Sequence, residues 1–291
     1  MKHVISFLLL FFSILYYNTA FSSNLKIVAT IKPVHSLVSS VTDGIVDSAL
    51  LNYNTTSAHD YTLKPSDISK LESSNIIFYI NDELETFVKN FKKNNRQLIQ
   101  LSDAVTLLPA RQNSFARKII NTHNEDDLHI WLNPENAKLM IRFISTKLSE
   151  IDSNNSNKYK NNAEIAIKKI EQKAKEISNK LNSVKGQKYI VLHDAYQYFE
   201  KHFGLNPPSV ILAIEEDSYI GIKSLTKLRE IMKQENISCV LSHSWETPKA
   251  FPNNAKVMVL DPTGLDVEPG KDAYLTIIDD IAKNFKSCFI N

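Results

Sequence analysis

Eight short runs of apolar, largely β-branched residues punctuate the chain, with longer stretches of helical periodicity between them. KIVATI (26–31), DSALL (47–51), IIFYI (76–80) and QLIQL (97–101) lie in the first half. KYIVLH (188–193), SVILAI (209–214), SCVLSH (238–243) and KVMVLD (256–261) lie in the second. The runs are continuous rather than alternating, which is the pattern of strands covered on both faces. With helices between them they predict an α/β fold of two lobes, each holding a mostly parallel sheet of about four strands flanked by helices.

Between the halves the period changes. In NNAEIAIKKIEQKAKEISNKLNS, Ala163, Ile167, Ile170, Ala174, Ile177 and Leu181 recur at spacings of four and three, with lysine and glutamate on the other faces. This is a long amphipathic helix. Ala163 and Ala174 make its apolar seam thin for a coiled coil, so it reads as an intramolecular, stiff connector. The expected organisation is an N-terminal lobe at 23–155, a connecting helix at 156–186 and a C-terminal lobe at 187–291. The stretch 109–128, polar and without a clear period, reads as an exposed, partly mobile loop.

The N-terminus stands apart. A basic start at Lys2, an apolar core from about Val4 to Tyr17, and Ala20 and Ser22 as small residues form a secretory signal peptide over 1–22. The core is short for a membrane span, which takes roughly 20 residues. No cysteine lies near the junction, which argues against a lipid anchor. In an exported chain the two cysteines, Cys239 and Cys288, read as one disulfide rather than a metal site. It would close a loop of nearly fifty residues, worth roughly 4 kcal/mol in chain entropy.

Composition adds little beyond exclusion. The chain has 291 residues, 43% hydrophobic and 23% charged, and a net charge of +2. So slight an excess points to neither nucleic acid nor an anionic membrane as partner. Glycine occurs six times, and neither G-x-G-x-x-G nor G-x-x-x-x-G-K-[ST] is present, which counts against a dinucleotide fold or an ATPase. H-E-x-x-H, C-x-x-C and G-x-S-x-G are also missing, so hydrolytic catalysis has no local signature.

Candidate chemistry follows from position. In open α/β sheets ligands bind beyond the carboxyl ends of strands. His193 ends KYIVLH and Asp261 ends KVMVLD; His59 lies in the loop after DSALL. His129 precedes a helix that Asn133 and Pro134 start as N-cap and first residue. Three imidazoles and a carboxylate suit Zn²⁺. They are about 65–70 residues apart, so no local spacing supports them.

Longer motifs do. VATIKPVHSLVSSVTDG, SAHDYTLKPSDISKL, LHIWLNPENA, LHDAYQYFEKHFGL, CVLSHSWETPK and VLDPTG follow one another over essentially the whole mature chain. In that order they resemble the metal-binding solute receptors of bacterial ABC importers, specifically the ZnuA-type zinc-binding proteins of the TroA-like group. The resemblance implies a periplasmic, monomeric, non-enzymatic receptor. It would hand Zn²⁺ to a separate membrane permease driven by a separate ATPase. The family's metal histidines fall in H-D-Y, H-I-W-L and H-D-A-Y, here His59, His129 and His193. Its L-D-P-x-G aspartate is Asp261, and that carboxylate or a water takes the fourth position. Histidine at 193 favours zinc over manganese, because imidazole suits Zn²⁺ and an oxygen-rich set suits Mn²⁺. The cysteine pair also matches a disulfide of zinc-type members.

Three departures stand out. The family's histidine-rich acidic loop is reduced to His123 beside Glu125, Asp126 and Asp127. C-V-F-A-E-P-Q has become CVLSHSW, which places His243 at a strand end as a supporting group or substitute ligand. W-L-D-P has become WLNP, which keeps a capping side chain at Asn133. Further supporting candidates around the ligands are Asp60, Asp194, Glu200 and His35. Asp194 with Gln197 also forms a capping pattern, D-x-x-Q, and His202 reads as a packing residue. Rival readings are a manganese receptor of the same family and a zinc hydrolase.

Overall fold

The computed structural model describes residues 25–51, 61–92, 96–111, 126–212, 222–242, 251 and 255–290. The expected signal peptide, His59, Asp60, His123, His243 and the core of the 109–128 loop lie outside them.

The first half runs β1 (Ile27–Ala29), α1 (Lys32–Thr42), β2 (Ser48–Leu50), α2 (Pro65–Ser73), β3 (Ile76–Tyr79) and β4 (Gln97–Gln100). A small hairpin follows, β5 (Leu108–Pro109) with β6 (Asp126–Asp127), then α3 (Pro134–Ile151) and the long α4 (Ser156–Leu181). The second half is β7 (Ile190–Val191), α5 (Gln197–Phe203), β8 (Val210–Ile211), α6 (Ile222–Gln234), β9 (Cys239–Ser242), β10 (Lys256–Val259) and α7 (Ala273–Ser287). Each of the eight apolar runs contains a strand, and they form two four-stranded sheets, ordered β2-β1-β3-β4 and β10-β9-β7-β8. Every pairing in the two sheets is parallel. The chain is therefore an α/β protein with two helix-flanked parallel sheets.

The continuous apolar runs now have their cause. The central strands β1 and β3 are buried at every position, while edge strand β2 is only half-buried. Alternate residues face opposite ways. Ile27, Ala29, Ile76, Phe78, Val191, Cys239 and Leu241 face one large core. Val28 and Ile77 face a small cluster with Leu71 of α2, and Ile190 and Val240 face another with Leu228 and Met232 of α6.

The large core is common to both halves. Ala163, Ile167, Ile170, Ile177 and Leu181 of α4 form a buried stripe within it, and α4 packs there with α1, α3 and α7. The predicted periodicity of α4 is thus the seam along which the inner faces of both sheets meet. Its Ala174 packs against the same core from a half-buried position. Hydrogen bonds reinforce the join: Asn162 Nδ2 donates to the carbonyls of Val41 (3.0 Å) and Asp43 (2.9 Å). The Tyr274 amide on α7 donates to Ser36 Oγ at 2.9 Å. Replacing a fully buried seam residue such as Ile177 by alanine would cost about 2–5 kcal/mol.

Cys239 and Cys288 form the expected disulfide, across a sequence separation of 49, and pin the end of α7 to β9. Among the described residues no helix is long and apolar enough to cross a membrane. One local expectation changes: the ends of the 109–128 stretch are not loop. Leu108 and Pro109 pair antiparallel with Asp127 and Asp126, which closes the stretch at its base.

Candidate metal centre

His129 follows β6 and enters a single 3-10 turn, Ile130–Leu132, before α3. Asn133 caps that helix as expected: its side chain accepts from the Glu135 amide at 2.8 Å, and Pro134 fills the first turn. The turn is anchored by Trp131, whose indole N–H donates to the Pro262 carbonyl at 2.8 Å and whose own carbonyl accepts from the Tyr274 hydroxyl at 3.0 Å. His129 is consequently fixed against the second half of the chain.

His193 comes from that second half, just past β7. The amide of Leu192 before it donates to the Leu241 carbonyl at 2.9 Å, which ties the strand end to β9. The two imidazoles meet with Nε2 to Nε2 at 3.3 Å and ring centroids 5.2 Å apart. Two ligands of a tetrahedral Zn²⁺ with Zn–N bonds of about 2.0–2.1 Å are separated by about 3.3–3.4 Å along the tetrahedron's edge. The pair therefore has the spacing that one shared ion requires.

His129 is also prepared electronically. Asp127 Oδ1 accepts from the His129 backbone amide at 3.0 Å and lies 2.9 Å from its Nδ1. A proton held on Nδ1 by that carboxylate leaves the Nε2 lone pair directed at His193, the arrangement by which a carboxylate orients a ligating histidine. Gln197 Nε2 donates to the other Asp127 oxygen at 3.2 Å.

Asp261 has partners that its strand-end position did not reveal. Its Oδ1 accepts from the amides of Thr263 and Gly264 and from the Thr263 hydroxyl, each at 2.8 Å, and its Oδ2 accepts from the Leu265 amide. The carboxylate thus caps its own turn. Gly264 is required there: its φ is +71°, and a Cβ would lie 2.4 Å from Ile277 Cγ1. Lys32 Nζ donates to the carbonyls of Gly264 and Leu265, bringing a cation to the same turn. Burial lowers the Lys32 pKa while Asp261, Glu268 and Asp266 act against it. Among the described residues no three His, Cys, Asp or Glu side chains group as metal ligands.

The supporting candidates also sort by contact. Asp194 does not cap α5, whose N-cap residue is Tyr196 without a side-chain bond. Instead both Asp194 oxygens take the Arg111 guanidinium, with Nε to Oδ2 at 2.9 Å, and Arg111 Nη1 reaches Glu200 Oε2 at 2.6 Å. Burial pushes the Glu200 carboxyl up, and Arg111 pulls it back. The long-range fork outcompetes the local D-x-x-Q pattern. His35 bonds the Ser48 carbonyl at 2.9 Å and Ser39 Oγ at 3.3 Å, partners on β2 and α1, and these bonds join helix to strand. Burial lowers its pKa. His202 packs edge-on against Phe203 at 4.6 Å, as a packing residue should.

Sequence reasoning missed Arg111 and gave Asp127 no role. Asp127 had a readable signal, a carboxylate two residues before a candidate ligand. Arg111 had none, because its partners lie 83 and 89 residues away.

A family model described as ZnuA, "Zinc-uptake complex component A periplasmic", matches residues 27–288. The chain is 29% identical over 304 residues to the high-affinity zinc uptake system protein ZnuA of Brucella abortus, covering 90% of this chain and 91% of that one. It is 28% identical over 291 residues to the protein of the same description from Haemophilus ducreyi, covering 91% and 94%. Its fold is similar to the crystal structure of ZnuA, with a TM-score of 0.74 at 22% identity, covering 91% of this chain and 98% of that one. The Zn(II)-bound ZnuA-like domain of Streptococcus pneumoniae AdcA gives a TM-score of 0.73 at 22% identity, covering 92% and 99%.

Proposed function

The chain belongs to the ZnuA family of periplasmic zinc-uptake components, and on that premise we propose that it is a zinc receptor whose ion is held by His59, His129 and His193. The observation that supports this most strongly is the 3.3 Å separation of the two Nε2 atoms, one from each half of the chain. In this reading water takes the fourth position, and Asp261 holds its own turn through four accepted hydrogen bonds. A nitrogen-rich set of this kind suits Zn²⁺ better than Mn²⁺.

The receptor is exported through cleavage of its first 22 residues, acts as a monomer in the periplasm, and delivers zinc to a membrane permease served by a separate ATPase. Ligands drawn from both halves let binding bias their relative arrangement, which is what a permease needs to tell loaded from empty receptor. The shared core restricts that response to a small shift. Catalysis is not part of the proposal: Asp127 is bonded to His129, Asp194 and Glu200 to Arg111, and Asp261 to its own turn, so these four carboxylates are read as structural.

Zinc titration of the purified protein should give one ion per chain at neutral pH and weaker binding on acidification, as protons compete for the imidazoles. A structural zinc site is worth roughly 10–16 kcal/mol over four ligands, so losing one should cost roughly a hundredfold to a thousandfold in affinity. His193→Ala should show that loss and His202→Ala almost none. Equal effects would mean that the site is misassigned.

A further inference from the structure

The small hairpin holds His129 directly and leads to a residue that holds the neighbour of His193. Its strand β6 supplies Asp127, which orients His129. Two residues beyond its strand β5, Arg111 grips Asp194, the immediate neighbour of His193, and Glu200 on α5. Two more bridges run alongside. Gln197 Nε2 donates to the Pro109 carbonyl at 3.1 Å and to Asp127 at 3.2 Å. The Leu108 amide donates to the Tyr198 hydroxyl at 2.8 Å. The segment from His193 to Glu200 is thus fastened to the same hairpin that aims His129.

We propose that Arg111 is a positioning residue that sets the spacing of His129 and His193 before metal arrives. The proposal rests on the reading of those histidines as ligands. A guanidinium makes two parallel bonds to one carboxylate and so fixes direction as well as distance, which a lysine ammonium does not. With the Arg111 and Asp194 side chains only 19% and 20% exposed, the fork is shielded from water. Without it, Asp194 at the start of the segment would lose its tether, and the cost of setting His193 would come out of the zinc affinity.

Arg111→Lys keeps a cation opposite Asp194 and Glu200 but loses the fork, while Arg111→Met loses both. Each variant is titrated with Zn²⁺ against a chromophoric chelator, loaded with Co²⁺ for its visible absorption spectrum, and melted without metal. Arg111→Lys should melt close to the parent yet bind zinc roughly 10–100-fold more weakly, with a changed Co²⁺ spectrum. Arg111→Met should bind at least as weakly; should it fail to fold, Arg111→Lys decides. Parental affinity and spectrum in Arg111→Lys, with His193→Ala still crippled, overturns the positioning role and leaves the site intact. Parental affinity in His193→Ala overturns the site, and the positioning role with it.

Discussion

Glu85 offers a sharp test of the energetics beneath the first sheet. It is 1% exposed, just beyond β3, and its Oε2 accepts from the amides of Ile80 at 2.6 Å and Asn81 at 3.2 Å. Burial raises its pKa from 4.5 to about 7, against the opposing pull of hydrogen bonds from Thr30, Ile80 and Asn81. The folded state therefore keeps a proton that the unfolded state gives up. Below the unfolded pKa both states hold the proton and stability does not change with pH through this group. Between there and about 7 each pH unit costs about 1.4 kcal/mol, and above it the loss levels off. The whole loss is roughly 3 kcal/mol. Glu85→Gln cannot titrate, so its stability relative to the parent should rise by that amount between pH 4.5 and 7 and then hold. Urea unfolding of metal-free protein across roughly pH 4.5–8.5 would read this as a relative midpoint shift of roughly 1 M, taking a slope of about 3 kcal/mol/M. A constant difference between parent and variant across that range would refute the reasoning.

Two further outcomes concern the metal centre. Asp261→Asn puts an amide where four donors converge, so it should lower stability by about 1–3 kcal/mol while weakening zinc binding less than about tenfold; a loss as large as that of His193→Ala would make Asp261 a ligand. Asp127→Ala should weaken zinc binding roughly 10–100-fold by releasing His129, and unchanged affinity in the same titration would remove Asp127 from the site.

The sheets were legible because a strand covered on both faces must be apolar at every position, and Ile27, Val28 and Ala29 are. Strand length was not: KYIVLH yields a two-residue strand because the chain bends at Leu192 and His193, where the imidazole is presented. His129 and His193 could be placed from strand ends and helix caps, which are local features. Arg111 could not, since only the tertiary fold brings it to Asp194. The turn held by Asp261 was within reach, because D-P-T-G folds its amides back onto the carboxylate. His59 and His243 lie outside the described residues, and of the two only His59 enters the proposed ligand set.

The seam along α4 has a thermodynamic consequence for cargo. With one large apolar core shared by both sheets, neither half has a main interior of its own to keep when the other is lost, so the chain should unfold in one cooperative step. An ion bound only by the folded chain then stabilises every part of it at once, by about 2.7 kcal/mol when free zinc stands at roughly a hundred times its dissociation constant. Protease resistance at α2, on the opposite side of the first sheet from the shared core, would rise and fall with zinc supply.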